Sequence, residues 1–154
     1  MKFICPLIVV EDIERSRKFY ETLLGQRVKL DFGENITFEG DFSIHLNSHY
    51  QDLIEGREIQ TGGNGFELYF ESDRIDQMTK RLEAAGVALV HPMREQPWRQ
   101  KVIRFYDPDN HIIELGESMQ ALSYRLYDEG KGLEEISALL QLPVDAIRDF
   151  IESR

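Results

Sequence analysis

Tyr106-Asp107-Pro108-Asp109-Asn110-His111-Ile112-Ile113-Glu114-Leu115 is the stretch whose reading decides the fold. Asp107-Pro108-Asp109-Asn110 is turn chemistry. Proline presets φ, and Asp and Asn bond the local backbone or take the left-handed conformation. Lys101-Val102-Ile103-Arg104-Phe105-Tyr106 precedes the turn and His111 to Leu115 follows it. Both flanks are rich in β-branched and aromatic residues at strand length. Glu114 is the anomaly, a carboxylate in an otherwise apolar strand. Burying it is costly unless it is paired, hydrogen-bonded or bound to a metal.

Working outward, the segments before this hairpin repeat an earlier pattern. Lys2 to Val10 reads as a buried strand, Asp12 as an N-cap and Ile13 to Leu24 as an amphipathic helix closed by Gly25. Val28 to Phe32, Ile36 to Glu39 and Phe42 to Leu46 read as short strands joined by glycine turns. Residues 47–64 read as an irregular polar linker. The order then restarts. Phe66 to Glu71 is a strand, Ser72-Asp73 a cap, and Ile75 to Ala85 a helix ended by Gly86. Val87 to His91, Lys101 to Tyr106 and His111 to Glu117 are strands, with 92–100 as a loop. The expected fold class is α+β, with β-α-β-β-β modules over residues 1–50 and 65–118 and a helical extension over 119–154. Sliding one half onto the other sets Gly25 on Gly86, Cys5 on Phe66 and His45 on Glu114.

The chain has 154 residues, 42% hydrophobic and 30% charged, which suits one soluble domain with a substantial core. The net charge of −10 argues against nucleic acid or an anionic membrane as partner, since both call for a basic patch. The single cysteine, Cys5, excludes an internal disulfide. No apolar run has the length of a membrane span and no signal peptide is evident, so the expected location is cytoplasmic. In the extension, Gly132 to Ile151 has the look of a helix-turn-helix unit. In the extension as a whole the acidic residues (Asp128, Glu129, Glu134, Glu135, Asp145, Asp149, Glu152) outweigh the cations (Arg125, Lys131, Arg148, Arg154), which disfavours a DNA reader and favours a covering or dimer-forming appendage.

Two motifs carry a family resemblance. They are Val9-Val10-Glu11-Asp12-Ile13-Glu14-Arg15-Ser16-Arg17-Lys18-Phe19-Tyr20-Glu21-Thr22-Leu23-Leu24-Gly25, and the hairpin Phe105 to Leu115. With the repeated element order, the chain resembles the vicinal oxygen chelate superfamily: glyoxalase I, bleomycin-resistance proteins and extradiol dioxygenases. The resemblance covers residues 1–118. It implies a cup-shaped mixed sheet around a cavity, a homodimer, and, in metal-dependent members, one divalent ion (Zn, Ni, Mn or Fe) held from four positions. Carried over, these fall on Cys5, His45, Phe66 and Glu114. Glu114 keeps the expected type, His45 substitutes another good ligand, Cys5 replaces a histidine, and Phe66 cannot bind a metal. His49 is the nearest alternative to His45.

Three readings follow. The first is a small-molecule-binding protein of the bleomycin-resistance kind, its ligand held in the sheet without a complete metal site. Trp98 is to stack a flat ligand, Arg99 to fork onto a carboxylate or phosphate, and Phe66 and Phe105 to line the site beside Tyr69, Tyr20 and Phe42. The alternative is a metal-dependent lyase, isomerase or dioxygenase, with His45, Glu114 and Cys5 holding the ion and Glu114 handling the proton. In the third, the cup is a sensor and the helices its output. A plain carboxylate–imidazole pair between Glu114 and His45 also satisfies both groups without any ion.

Overall fold

The computed structural model describes all 154 residues, which form two units. Unit 1 comprises residues 1–66 and 106–112, and unit 2 comprises 67–105 and 113–154. The fold is α+β, with two four-stranded sheets that share one strand order. No helix is long and apolar enough to cross a membrane.

In unit 1 the order is β1 (Leu7–Val10), α1 (Ile13–Lys18), a π-helical turn (Phe19–Leu23), β2 (Val28–Asp31), β3 (Asn35–Phe38), β4 (Ser43–Leu46) and α2 (Asn47–Leu53). The sheet runs β1-β4-β3-β2, with β1 parallel to β4 and the other pairs antiparallel. Asp12 caps α1 as its sequence position requires, its side chain accepting from the Arg15 N–H at 2.9 Å. Gly25 follows the π turn at φ +69°, a left-handed conformation that glycine adopts without strain.

Strand alternation sorts this sheet into two faces. Ile8, Val10, Ile36, Phe38 and Ile44 point to the buried face. Tyr20 joins Phe38 and Phe42 there, with ring centroids 4.7 to 5.5 Å apart. Fully burying each such ring stabilises the fold by roughly 2 kcal/mol. The opposite face carries Asn35, Thr37, Ser43 and His45.

The hairpin turn belongs to unit 1 and is bonded throughout. Asp107 Oδ1 accepts from the N–H groups of Asp109 and His111, and Asn110 closes the turn at φ +66°. Asp107 Oδ2 accepts from the Tyr20 hydroxyl and from His111 Nδ1, both at 2.8 Å. Asp109 accepts from the Ser16 hydroxyl at 2.9 Å, the Glu11 N–H at 3.1 Å and Arg15 Nη2 at 2.5 Å. Both carboxylates are buried. The turn therefore fastens α1 and the π turn from residues about ninety positions away in sequence.

Unit 2 repeats the order with β5 (Glu67–Ser72), α3 (Ile75–Ala84), β6 (Leu89–Glu95), β7 (Lys101–Tyr106) and β8 (Ile112–Glu117), in the sheet order β5-β8-β7-β6. The ends of β7 and β8, Tyr106 and Ile112, fall to unit 1 with the turn. Leu68, Ile75, Leu82, Val102, Ile103, Phe105, Ile113 and Leu115 are buried. Three further helices follow: α4 (Met119–Asp128), α5 (Leu133–Leu140) and α6 (Val144–Glu152). They have their own core of Leu122, Leu126, Ile136 and Ile147, flanked by Met119, Leu133, Leu140, Leu142, Phe150 and Ile151.

Three expectations need correction. The first strand is shorter than Lys2 to Val10, because β4 pairs only from Leu7 onward and Pro6 contributes its carbonyl, to Ser43 N–H, but has no N–H to donate. Residues 47–53 form α2 rather than linker, since β4 runs straight into it and α2 packs against β1 and β4. Finally, β6 continues through Pro92 to Glu95. As an edge strand with register shifts around His91 to Arg94, it tolerates a residue that cannot donate.

Burial pushes the Asp107 carboxyl up, but His111 and Tyr20 bonded to it bring it below its ordinary value overall. For His111, burial pushes the imidazole down, but Asp107 and then Asp109 bring it above its ordinary value. The stability from a raised histidine is complete below its ordinary pKa of about 6.5 and is lost as pH rises through the raised value. That from the lowered carboxylate is present above about pH 4 and is lost as pH falls through the lowered value. The melting-temperature gap between the wild type and His111→Phe should therefore be widest near pH 6 and narrow toward pH 9. Asp107→Ala should cost about 3 kcal/mol in urea unfolding, because it strips partners from a buried network.

Candidate functional site

In unit 1, the sheet face opposite the core is a ladder of polar side chains. Cys5 Sγ lies 3.3 Å from the Ser43 hydroxyl, which lies 2.8 Å from the Thr37 hydroxyl. One pair further along, Asn35 Nδ2 donates to His45 Nδ1 at 3.1 Å, and His45 Nε2 lies 2.8 Å from His49 Nδ1. With Nδ1 accepting from Asn35, the His45 proton sits on Nε2 and is given to His49. Burial, and next the neighbouring His49, holds His45 below its ordinary pKa. His45 is thus a neutral imidazole with both nitrogens engaged. Its strand partner on β1 is Val9, while Cys5 lies beyond the paired region.

Two clefts lie apart from these residues. One of about 400 Å³ in unit 1 is lined by Glu11, Asn47, Ser48, Gln51, Glu58 and Ile59. Another of about 350 Å³ in unit 2 is lined by Ser72, Asp73, Arg74, Gln77 and Met78.

In unit 2, Glu114 is buried on β8 and forms an ion pair with Arg104 Nη2 from β7. Glu114 Oε2 accepts no aligned hydrogen bond, so the guanidinium meets it as a charge. Arg104 also forks onto Glu67, with Nε 2.8 Å from Oε2 and Nη2 3.3 Å from Oε1, and its Nη1 lies 3.4 Å from His91 Nε2. His91 and Arg104 are register partners on β6 and β7. The result is a charge cluster on one sheet face, with two carboxylates around one guanidinium.

Two residues along β8, the same face carries a hydrogen-bonded network that ends on a carboxylate. Trp98 Nε1 donates to Gln100 Oε1 at 3.0 Å, and Gln100 Nε2 donates to the Tyr69 hydroxyl at 2.8 Å and to the Glu117 carbonyl at 2.8 Å. The Tyr69 hydroxyl donates to Glu71 Oε1 at 2.8 Å. Burial and then the Glu71 bond push Tyr69 up to about 12, so it remains a donor at neutral pH. Gly116 creates the room for this network. A Cβ at that position would lie 2.8 Å from Gln100 Nε2 and 2.9 Å from the Tyr69 oxygen. The rings of Trp98 and Tyr69 are about half exposed.

The remaining anticipated residues are placed as follows. Phe66 is half exposed in unit 1, just before β5, and Phe105 is wholly buried, on the face opposite Arg104. The Arg99 guanidinium is taken by Glu95 at 2.7 Å and Glu129 at 3.0 Å. His45 and Glu114 each find partners inside their own unit. Sequence reasoning missed Arg104 and Gln100. The signal for Arg104 was present: a lone arginine in a largely apolar strand, beside a strand in which Glu114 sits among apolar residues.

The donor set does not fit a divalent ion at the four positions implied by the resemblance. Glu114 already faces a guanidinium, which repels a second cation. Both His45 nitrogens are used, Cys5 is occupied with Ser43, and Phe66 offers only carbon. Within neither unit do three His, Cys, Asp or Glu side chains gather as ligands would.

The architecture places the chain among known proteins. It belongs to the glyoxalase-like domain family, whose family model matches residues 3–120. No significant match is found among curated proteins. A crystal structure of a protein of unknown function from Agrobacterium tumefaciens str. C58 is 41% identical, with TM-score 0.71, over 77% of this chain and 94% of that one. The fold is shared more distantly with the fosfomycin resistance protein FosX from Listeria monocytogenes (20% identity, TM-score 0.58, 77% of this chain and 93% of that one). A lactoylglutathione lyase from A. tumefaciens is likewise similar (18% identity, TM-score 0.59, 76% and 93%).

Arg104→Ala leaves Glu114 buried without its cation and should lower stability by about 3 kcal/mol, whereas replacing the pair with Met and Leu should cost far less. Both are read by chemical denaturation. Gly116→Ala should break the Gln100–Tyr69 bond at a cost of about 1 kcal/mol and shift the emission of Trp98, the chain's single tryptophan.

Proposed function

We propose that this protein binds a small molecule on the sheet faces of its glyoxalase-like domain and does so without a complete metal site. The observation that carries the reading is the Arg104–Glu114 pair. The residue that keeps the family's ligand type is neutralised by a guanidinium from the next strand. Glu114 then serves as part of the floor of the site. The metal-dependent lyase, isomerase or dioxygenase is the weaker reading, since His45, Cys5 and Glu114 are each already satisfied by a protein partner.

The chemistry of the unit 2 face narrows the ligand class. Trp98 and Tyr69 offer half-exposed rings for stacking, and Gln100 and Tyr69 fix their orientation. Glu67, Glu71 and Glu114 outnumber the one guanidinium among them, and the Arg99 fork is spent on Glu95 and Glu129. An anion gains little there, whereas a flat neutral or cationic molecule gains stacking, hydrogen bonds and a favourable field.

Two measurements test this. Elemental analysis of protein purified without chelator should show no stoichiometric zinc, nickel, manganese or iron. A stoichiometric ion that is lost in His45→Ala would sink the reading. Calorimetric titration should detect bleomycin, a cationic molecule with a flat bithiazole, weakened at least tenfold (about 1.4 kcal/mol) by Trp98→Ala, and should detect no fosfomycin, a small phosphonate. Tight fosfomycin binding with none of bleomycin would reverse the assigned ligand class.

A further inference from the structure

The family match ends at residue 120, so nearly all of α4 and the whole of α5 and α6 lie beyond the shared domain. One side chain ties this addition to the sheet. Arg125, on α4, forks onto buried Glu117 at the end of β8, with Nε 3.0 Å from Oε1 and Nη2 2.8 Å from Oε2. The same Nη2 donates to the Arg99 carbonyl at 2.6 Å, and Nη1 donates to Glu95 at 3.2 Å and Glu129 at 3.1 Å. Glu129, at the end of α4, also receives the Arg99 guanidinium.

The turn gripped in this way is the β6–β7 connection, residues 96–100. Arg99 is held there at φ +74°, a left-handed conformation that a non-glycine residue keeps only when its surroundings impose it. Its neighbours on either side are Trp98 and Gln100, which form the stacking edge of the candidate site. The Glu117 carbonyl anchors Gln100, while the Glu117 carboxylate anchors Arg125. A single path of hydrogen bonds thus runs from the added helices to the aromatic edge of the sheet.

We propose that Arg125 is a positioning residue: through Glu117 and the Arg99 carbonyl, the C-terminal extension holds the Trp98 turn in its binding geometry. The proposal rests on the reading of Trp98 as a ligand-stacking residue. A bare ion pair gluing helix to sheet would require only the Glu117 contact. The bond to the Arg99 carbonyl and the second fork through Glu129 act on the turn itself. Lysine cannot replace arginine here, because one ammonium cannot span both Glu117 oxygens and the carbonyl.

The test uses the full chain and the fluorescence of Trp98, and it needs no ligand. Arg125→Gln and Arg125→Lys should retain native circular dichroism while raising acrylamide quenching of Trp98 about twofold and moving its emission. Arg154→Gln is the control. It breaks a fork onto Asp128 within the extension and touches nothing in the turn, so Trp98 should be unchanged. Folded Arg125 variants with wild-type emission and quenching overturn the proposal, as does an equal change in Arg154→Gln. If both Arg125 variants fail to fold, Glu129→Gln, at the exposed end of the path, should still raise quenching, and no change there overturns the proposal. Failure of the binding reading shows separately, as absent bleomycin binding by the wild type.

Discussion

The structure of unit 1 depends on one constraint: two buried carboxylates, Asp107 and Asp109, must find donors. They find them in the N-terminal helix. Ser16, Arg15, the Glu11 N–H and Tyr20 all give hydrogen bonds to a turn far along the chain. An unpaired buried carboxylate costs several kcal/mol, so the turn and the helix are stable only together. The two stretches that mark the family in sequence are therefore the two halves of one hydrogen-bonded joint. The apolar contacts of Tyr20 with Phe38 and Phe42 then hold that joint against the sheet.

Unit 2 applies the same rule to glutamates. Glu114 and Glu117 are buried on β8, and each takes an arginine. The two arginines come from different places, and this gives the pairs different consequences. Arg104 comes from the adjacent strand and neutralises Glu114 within the sheet. Arg125 comes from the helix added after the shared domain and reaches past the carboxylate to a turn. Burial, and not the identity of the acid, demands a cation at each site.

Much of the site follows from small residues and strand alternation. Gly116 leaves the space in which Tyr69 and Gln100 meet across β8. Period-two alternation puts Glu114, Gly116, Tyr69, Gln100 and Arg104 on one face and sends Phe105 to the other. Phe105 read as a site residue by type alone, yet its strand position carries it into the core. Arg99 read as an anion fork, and it does hold carboxylates, but those of its own chain.

The sequence by itself determined the α+β class, the repeated element order, the hairpin, the Asp12 cap and the helical tail, but not the start of α3, whose cap position falls on Arg74 beyond the expected Ser72-Asp73. These depend on local propensity and on hydrophobic period, both visible within a window of ten or so residues. It also singled out Glu114 as the residue that had to be explained. Which partner satisfies Glu114 was decided only by tertiary structure. Strand register sets Asn35 against His45, and the order of strands in the second sheet brings Arg104 to Glu114 and lets Gln100 reach Tyr69 across β8; both depend on pairing between segments that no local window joins. The same holds for Asp107 and Asp109: their turn was legible from composition, but their role as anchors of α1 arises from contacts across the length of unit 1.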